Sequence, residues 1–151
     1  MNRSSKLFGW LIATAGMLCL LGLACTSKKE GAGSSSAILR LHDLWALHSI
    51  GGQAYERDAS EQHPLLELYP EDRRVSGTDG CNQIMGSLQV VDASQIEFGV
   101  MGGTKKMCRQ MEIPGAFLRG LRATRSYRLE QLELIFMDEN GQEIMRLKKV
   151  D

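Results

Sequence analysis

The chain has 151 residues, 18 Lys+Arg against 18 Asp+Glu, and a formal net charge of zero. That balance, with no dense basic run, excludes the electrostatic footprint of a nucleic-acid-binding protein. The length allows one modest hydrophobic core beyond any targeting segment.

The first 24 residues form a leader. Arg3 and Lys6 precede an apolar stretch, Leu7 to Leu23, broken only by Gly9, Thr14, Gly16 and Gly22. This is the layout of a secretory signal peptide. The stretch is also near the ~20 residues that a membrane crossing needs, so a retained anchor or an ordinary signal cut nearby is the competing reading. The ending Leu23-Ala24-Cys25 resembles the lipobox of bacterial lipoproteins, in which cleavage leaves an N-terminal cysteine that carries the lipid. Gly22 and Leu23 stand where that pattern prefers a leucine and a small residue. The resemblance implies residues 1–24 as signal peptide, Cys25 as the lipidation site and residues 25–37, rich in Ser, Gly, Lys and Ala, as a flexible tether. Thr26 after the cysteine implies the outer membrane where the cell has one. Without its leader the chain carries 16 basic against 18 acidic residues, a net of −2.

Residues 38–151 are read as the single folded domain. Ile38–Leu41 is a short lead-in, Leu44–Ile50 a first strand stopped by Gly51-Gly52, and residues 53–63 a polar loop. Leu65–Tyr69 alternates apolar with polar side chains as a half-buried strand does. Pro70-Glu71-Asp72 turns the chain, and Arg73–Gly77 returns it. Ser87–Val91 and Ile96–Val100 are two further strands, the second stopped by Gly102-Gly103. Met107, Met111, Phe117, Leu118 and Leu121 then recur at three- and four-residue steps, which is a helical face. Pro114 is acceptable only in a first turn, so the helix is placed at 114–123. Ser126–Glu130, Leu132–Met137 and Glu143–Lys149 alternate as strands, and Asn140-Gly141 predicts a type I′ hairpin. The sum is a mainly β (α+β) domain: about eight short antiparallel strands curled into a small barrel, with one helix covering an end or seam.

Between two of these strands lies Gly77-Thr78-Asp79-Gly80-Cys81-Asn82-Gln83-Ile84-Met85-Gly86, a glycine-rich corner. Glycine is favoured where the chain takes positive φ or passes close to another backbone. Cys19 leaves with the leader and Cys25 takes the lipid, so Cys81 and Cys108 remain as an even pair in an exported domain. A disulfide is the simplest use of such a pair; two buried free thiols acting as small hydrophobes is the alternative.

These residues resemble the META domain of HslJ-type heat-inducible bacterial lipoproteins. The likeness runs from Trp45 through Gly77-x-x-Gly80-Cys81-Asn82-x-x-x-Gly86 and Thr104-x-x-x-Cys108 to Glu112, Phe117, Leu121 and a closing hairpin. Leu88 and Lys106 depart from it, standing where the family usually has an aromatic residue and often a methionine. The resemblance implies a barrel-like fold, attachment to the cell envelope through an N-terminal lipid, and links to stress and antibiotic tolerance. It implies no settled reaction. Some members are similar to pilotins, which escort secretin channels and can hold lipid in a cracked barrel.

No catalytic constellation is present. His42, His48 and His63 have no serine, cysteine or carboxylate at a spacing diagnostic of a triad or a zinc helix, so no enzyme activity, cofactor or metal is expected. Met85, Met101, Met107 and Met111 near the cysteines offer soft ligands for Cu(I), against which a disulfide removes both thiolates. Arg119, Arg122, Arg125 and Arg128, with Lys105, Lys106 and Arg109, form either a solvated face or a contact for anionic headgroups. Two functions follow. One is a non-catalytic, membrane-anchored envelope lipoprotein that binds a protein partner. The other is a carrier of a small apolar ligand, because an eight-stranded barrel is just wide enough to be self-packed or to hold one ligand.

Overall fold

The computed structural model describes residues 36–57 and 62–150. The signal peptide, Cys25 and most of the tether lie outside them. After a helical turn at 36–39 the chain forms β1 (Leu44–Ile50), β2 (Gln53–Ala54), β3 (Leu65–Tyr69), β4 (Arg74–Thr78), β5 (Gln83–Val91) and β6 (Ile96–Gly103). Helix α1 (Glu112–Ala123) follows, then β7 (Ser126–Glu130), β8 (Glu133–Met137) and β9 (Glu143–Lys149). All strands join one antiparallel sheet in the order β6-β5-β4-β3-β1-β9-β8-β7, with β2 attached to β1. The mainly β, eight-strand architecture expected from periodicity is therefore the one observed, and β2 is an addition to it.

The sheet curls into a half-barrel whose terminal strands meet only at their beginnings. There the Ile96 N–H donates to the Arg125 carbonyl (3.2 Å) and the Tyr127 N–H to the Ser94 carbonyl (2.9 Å). The Tyr127 hydroxyl adds a bond to the Asp92 carbonyl (2.7 Å). Beyond this point the edges of β6 and β7 part, and α1, which connects them, packs against β6, β1 and β9. Pro114, Phe117, Gly120 and Leu121 are its buried face. The helix approaches closely because a Cβ at Gly120 would overlap the Met145 methyl group.

Alternation along the strands fills the interior with Trp45, Leu47, Leu66, Leu68, Val75, Leu88, Phe98, Leu134, Phe136, Met145 and Leu147. Phe98 and Phe136 meet edge to face at 5.4 Å, a favourable ring geometry. Because neighbouring strands are antiparallel, their connections alternate between two ends. The 51–52 turn, the corner after β4, the 104–111 loop and the turn before β9 lie at one end. The start of the described chain and the turns at 70–73, 92–95 and 131–132 lie at the other. At this second end Leu41 is fully buried and its carbonyl accepts the Trp45 indole N–H (3.0 Å).

Several boundaries differ from expectation. β5 starts at Gln83, directly after the corner, and β6 continues through Gly102-Gly103, because Ile84↔Gly103 and Met85↔Gly102 pair across the two strands. α1 starts at Glu112, which leaves Pro114 in the first turn. Met107 and Met111 precede the helix and are exposed, so they are not part of its apolar face. The type I′ turn is misplaced too. At Asn140-Gly141 only Gly141 has positive φ (75°). The Asp138 carboxylate accepts the N–H groups of Asn140 (2.8 Å) and Gln142 (2.9 Å), which stabilises a three-residue loop ending in a left-handed glycine. The positive-φ pair sits instead at Gly51 (58°) and Gly52 (79°), between paired Ile50 and Gln53, which is how β2 arises in a segment that reads as loop.

Burial, and secondarily the charge of Asp92, pushes the Tyr127 hydroxyl pKa up to about 12. An unfolded tyrosine titrates near ~10. The raised value means that the neutral form is favoured in the folded state, so this contribution is complete below pH ~10 and is lost as pH rises through about 12. Tyr127→Phe should cost about 1 kcal/mol at neutral pH for the lost bond to Asp92 and should flatten the alkaline decline in urea-unfolding free energy. An alkaline limb as steep in the variant as in the wild type would contradict this.

Candidate functional site

The corner between β4 and β5 is built on a carboxylate. Asp79 is almost fully buried; its Oδ1 accepts the N–H groups of Cys81 (2.8 Å) and Asn82 (2.6 Å), and its own N–H donates to the Asn82 carbonyl (3.0 Å). Gly80, at φ 98°, donates its N–H to Thr78 Oγ1 (3.2 Å). Asp79 had no role assigned from sequence. Its signal is the Asp-Gly pair, since an aspartate that bonds the backbone two and three residues on is the usual way such a turn is closed. Gly77 is needed for a different reason: a Cβ there would overlap the Leu65 carbonyl oxygen on β3.

From this corner two groups reach the loop at 104–111. Asn82 Oδ1 accepts the Thr104 hydroxyl (3.0 Å) and the Lys106 N–H (2.7 Å). Thr104 Oγ1 in turn accepts the Gln83 N–H (3.1 Å), and the Thr104 N–H donates to the Gln83 carbonyl (3.0 Å). Two residues beyond Lys106, Cys108 is joined to Cys81 in a disulfide, with an S–S length of 2.00 Å and Cα atoms 5.9 Å apart. Cys81, Asn82 and Thr104 are thus one assembly. Lys106 contributes its backbone N–H and leaves its side chain exposed, so the departure from methionine at this position does not touch the corner.

The remaining motif residues support the barrel. Trp45 lies at the opposite end, beside Leu41. Gly86 faces inward on β5, and a Cβ there would run into the Met101 sulfur, so Met101 occupies the space that a side chain at 86 would take. The histidines are dispersed. His42 stacks at a tilt on Tyr69 (5.2 Å), His63 Nε2 bonds the Leu47 carbonyl (2.7 Å), and His48 lies on β1. With both thiols in the disulfide, no thiolate is left beside the methionines for a soft metal. Among the described residues no three His, Cys, Asp or Glu side chains converge as a ligand set. The arginine row is split. Arg119 and Arg122 are exposed on α1, whereas Arg125 donates to the carbonyls of Arg122 and Thr124 (2.8 Å each) at the helix end and Arg128 pairs with Glu130 (2.6 Å). A cleft of about 190 Å³ lies at the corner's end of the barrel, lined by residues that include Ile50, Tyr55, Gln110 and Ile113.

The META domain family profile matches residues 39–151. No curated protein matches the chain by sequence. Among solved structures, an NMR structure of a protein from Burkholderia xenovorans is similar at TM-score 0.56 and 25% identity, over 76% of this chain and 87% of that one. A second NMR structure gives TM-score 0.55 at 18% identity, over 72% and 90%. A DUF4847 family protein from Bacteroides vulgatus gives 0.50 at 11% identity, over 74% and 96%. The last two likenesses are of fold alone.

Asn82→Ala would leave the Lys106 N–H and the Thr104 hydroxyl without their acceptor, and should lower the unfolding free energy by about 2 kcal/mol. Cys81→Ser and Cys108→Ser should each cost roughly 3–4 kcal/mol and by equal amounts, because both open the same loop. Urea unfolding with and without reductant checks this. Reductant should bring the wild type down to the cysteine variants and leave those variants unchanged; unequal losses would show that the sulfurs act separately.

Proposed function

The chain belongs to the META domain family, and from that premise we propose that it is a non-catalytic lipoprotein of the cell envelope, held to the membrane through Cys25, whose barrel-like domain acts by binding another protein. One observation carries this reading. The inside of the half-barrel is filled by its own side chains, among them fully buried Trp45, Phe117 and Phe136, so recognition is left to the outer surface. A packed interior is one of the two outcomes open to an eight-stranded barrel. Carriage of an acyl chain would require displacing Phe117 and Leu121 of α1, which among the described residues spans the gap between β6 and β7, and core truncations of that kind typically cost several kcal/mol. Anchoring through Cys25 rests on the leader and its resemblance to a lipobox.

Mass spectrometry of protein extracted gently from its native membrane tests both parts. The denatured mass should include an N-terminal lipid on Cys25 and lack the two hydrogens of a disulfide. The native ion should be bare or carry a second polypeptide. A small molecule that stays on the native ion and is stripped by denaturation would replace this function with ligand carriage. A denatured mass that retains residues 1–24, with no lipid on Cys25, would mean that the leader stays as an anchor.

A further inference from the structure

The loop at 104–111 is held at its base and bare at its tip. Its base is fixed by the Cys81–Cys108 disulfide and by the Asn82 bonds to Thr104 and Lys106. Its tip presents Met107 at 89% exposure, with Met111 at 41%. On the two strands that lead to this loop, Met85 of β5 (63%) and Val100 of β6 (87%) are also exposed; Met85 pairs with Gly102, two residues before the loop begins. Lys105, Lys106 and Arg109 flank Met107 in the same loop, exposed, and none of them pairs with a carboxylate among the described residues. Glu112 is the nearest acid in sequence and belongs to α1.

Several exposed apolar side chains interleaved with charge mark a contact site. We propose that the 104–111 loop, with Met85 and Val100, is a docking surface for an acidic protein segment that carries apolar side chains among its carboxylates. The proposal rests on the protein-binding reading above and assigns that reading its surface and its partner's chemistry.

Two observations select a protein over a lipid bilayer at this surface. It contains no Trp, Tyr or Phe, the residues that membrane-interface loops favour, and does contain methionine and arginine, which protein interfaces favour. Its base is also braced before binding, which reduces the ordering cost that a shaped contact would otherwise carry. Three unpaired cations supply the complementarity that an acidic partner would answer.

The test uses the full-length lipoprotein in its own envelope, with a photo-crosslinking amino acid at position 107 and, separately, at Leu132, which is exposed at the other end. Position 107 should give an adduct with one discrete protein, mapped to an Asp/Glu-rich segment, and position 132 should give none. Lys105→Glu, Lys106→Glu and Arg109→Glu together should reduce that adduct by about tenfold or more. Raising salt from about 50 to about 500 mM should weaken it, because screening shortens the reach of rim charges. The urea-unfolding curve of the triple variant should match the wild type, since these three side chains make no hydrogen bond or ion pair among the described residues. An adduct unaffected by charge reversal, or mapped to a neutral segment, overturns the proposal. An adduct from 132 in place of 107 overturns this surface and keeps the protein-binding function. Lipid adducts at 107 replace the partner with a membrane. No protein adduct from either position overturns both the surface and the function.

Discussion

The side-chain carbonyl of Asn82 is the point on which the organisation of this domain turns. One oxygen accepts from Thr104 and from the Lys106 backbone, and so joins two connections that are more than twenty residues apart in sequence. Asn82 is itself placed by Asp79, whose buried carboxylate holds the Cys81 and Asn82 N–H groups. A carboxylate buried without donors would be costly; here backbone N–H groups meet it, and the corner becomes a rigid unit. The disulfide is set on this frame. Its two cysteines are brought together by bonds that do not depend on sulfur, and the covalent link then restricts the unfolded chain.

The barrel's second constraint is its incomplete closure. β6 and β7 share two backbone bonds at their beginnings and then separate. An open edge with free N–H and C=O groups invites pairing with other chains. The connection between the two strands is itself the cover, because α1 packs on β6 while it fills the interior with Phe117 and Leu121. One segment therefore links the edges, shields part of one of them and completes the core. The 104–111 loop occurs where it does because it is the stretch of that connection before the helix begins.

Two turns show where local reading stops. Asn-Gly is the stronger sequence signal for a type I′ turn, yet Asn140-Gly141 does not form one, because Asp138 offers its carboxylate to the backbone and selects a longer loop. Gly51-Gly52 does take the positive-φ pair and folds β2 back on β1. The difference lies in competing hydrogen bonds from a neighbouring side chain, which a dipeptide preference does not include. Met107 and Met111 teach a related lesson. Their spacing continues the helical period of Phe117 and Leu121, but the disulfide at Cys108 and the Asn82 bonds hold this stretch outside the helix.

The sequence by itself determined the number, order and antiparallel character of the eight main strands, the position of the helix and the importance of the glycine-cysteine-asparagine corner. Those features rest on side-chain period and on local backbone demands, which are properties of short segments. It also contained the Trp45, Gly77, Gly80, Asn82, Gly86 and Thr104 pattern that leads to the META domain. Only the tertiary structure decided which strands are edges, that α1 fills the gap between them, that Asp79 and Asn82 are structural acceptors, and that Met85, Met107 and Met111 face outward while Met101 packs inward. Each of these depends on groups far apart in the chain arriving at the same place, and no window of sequence contains that information.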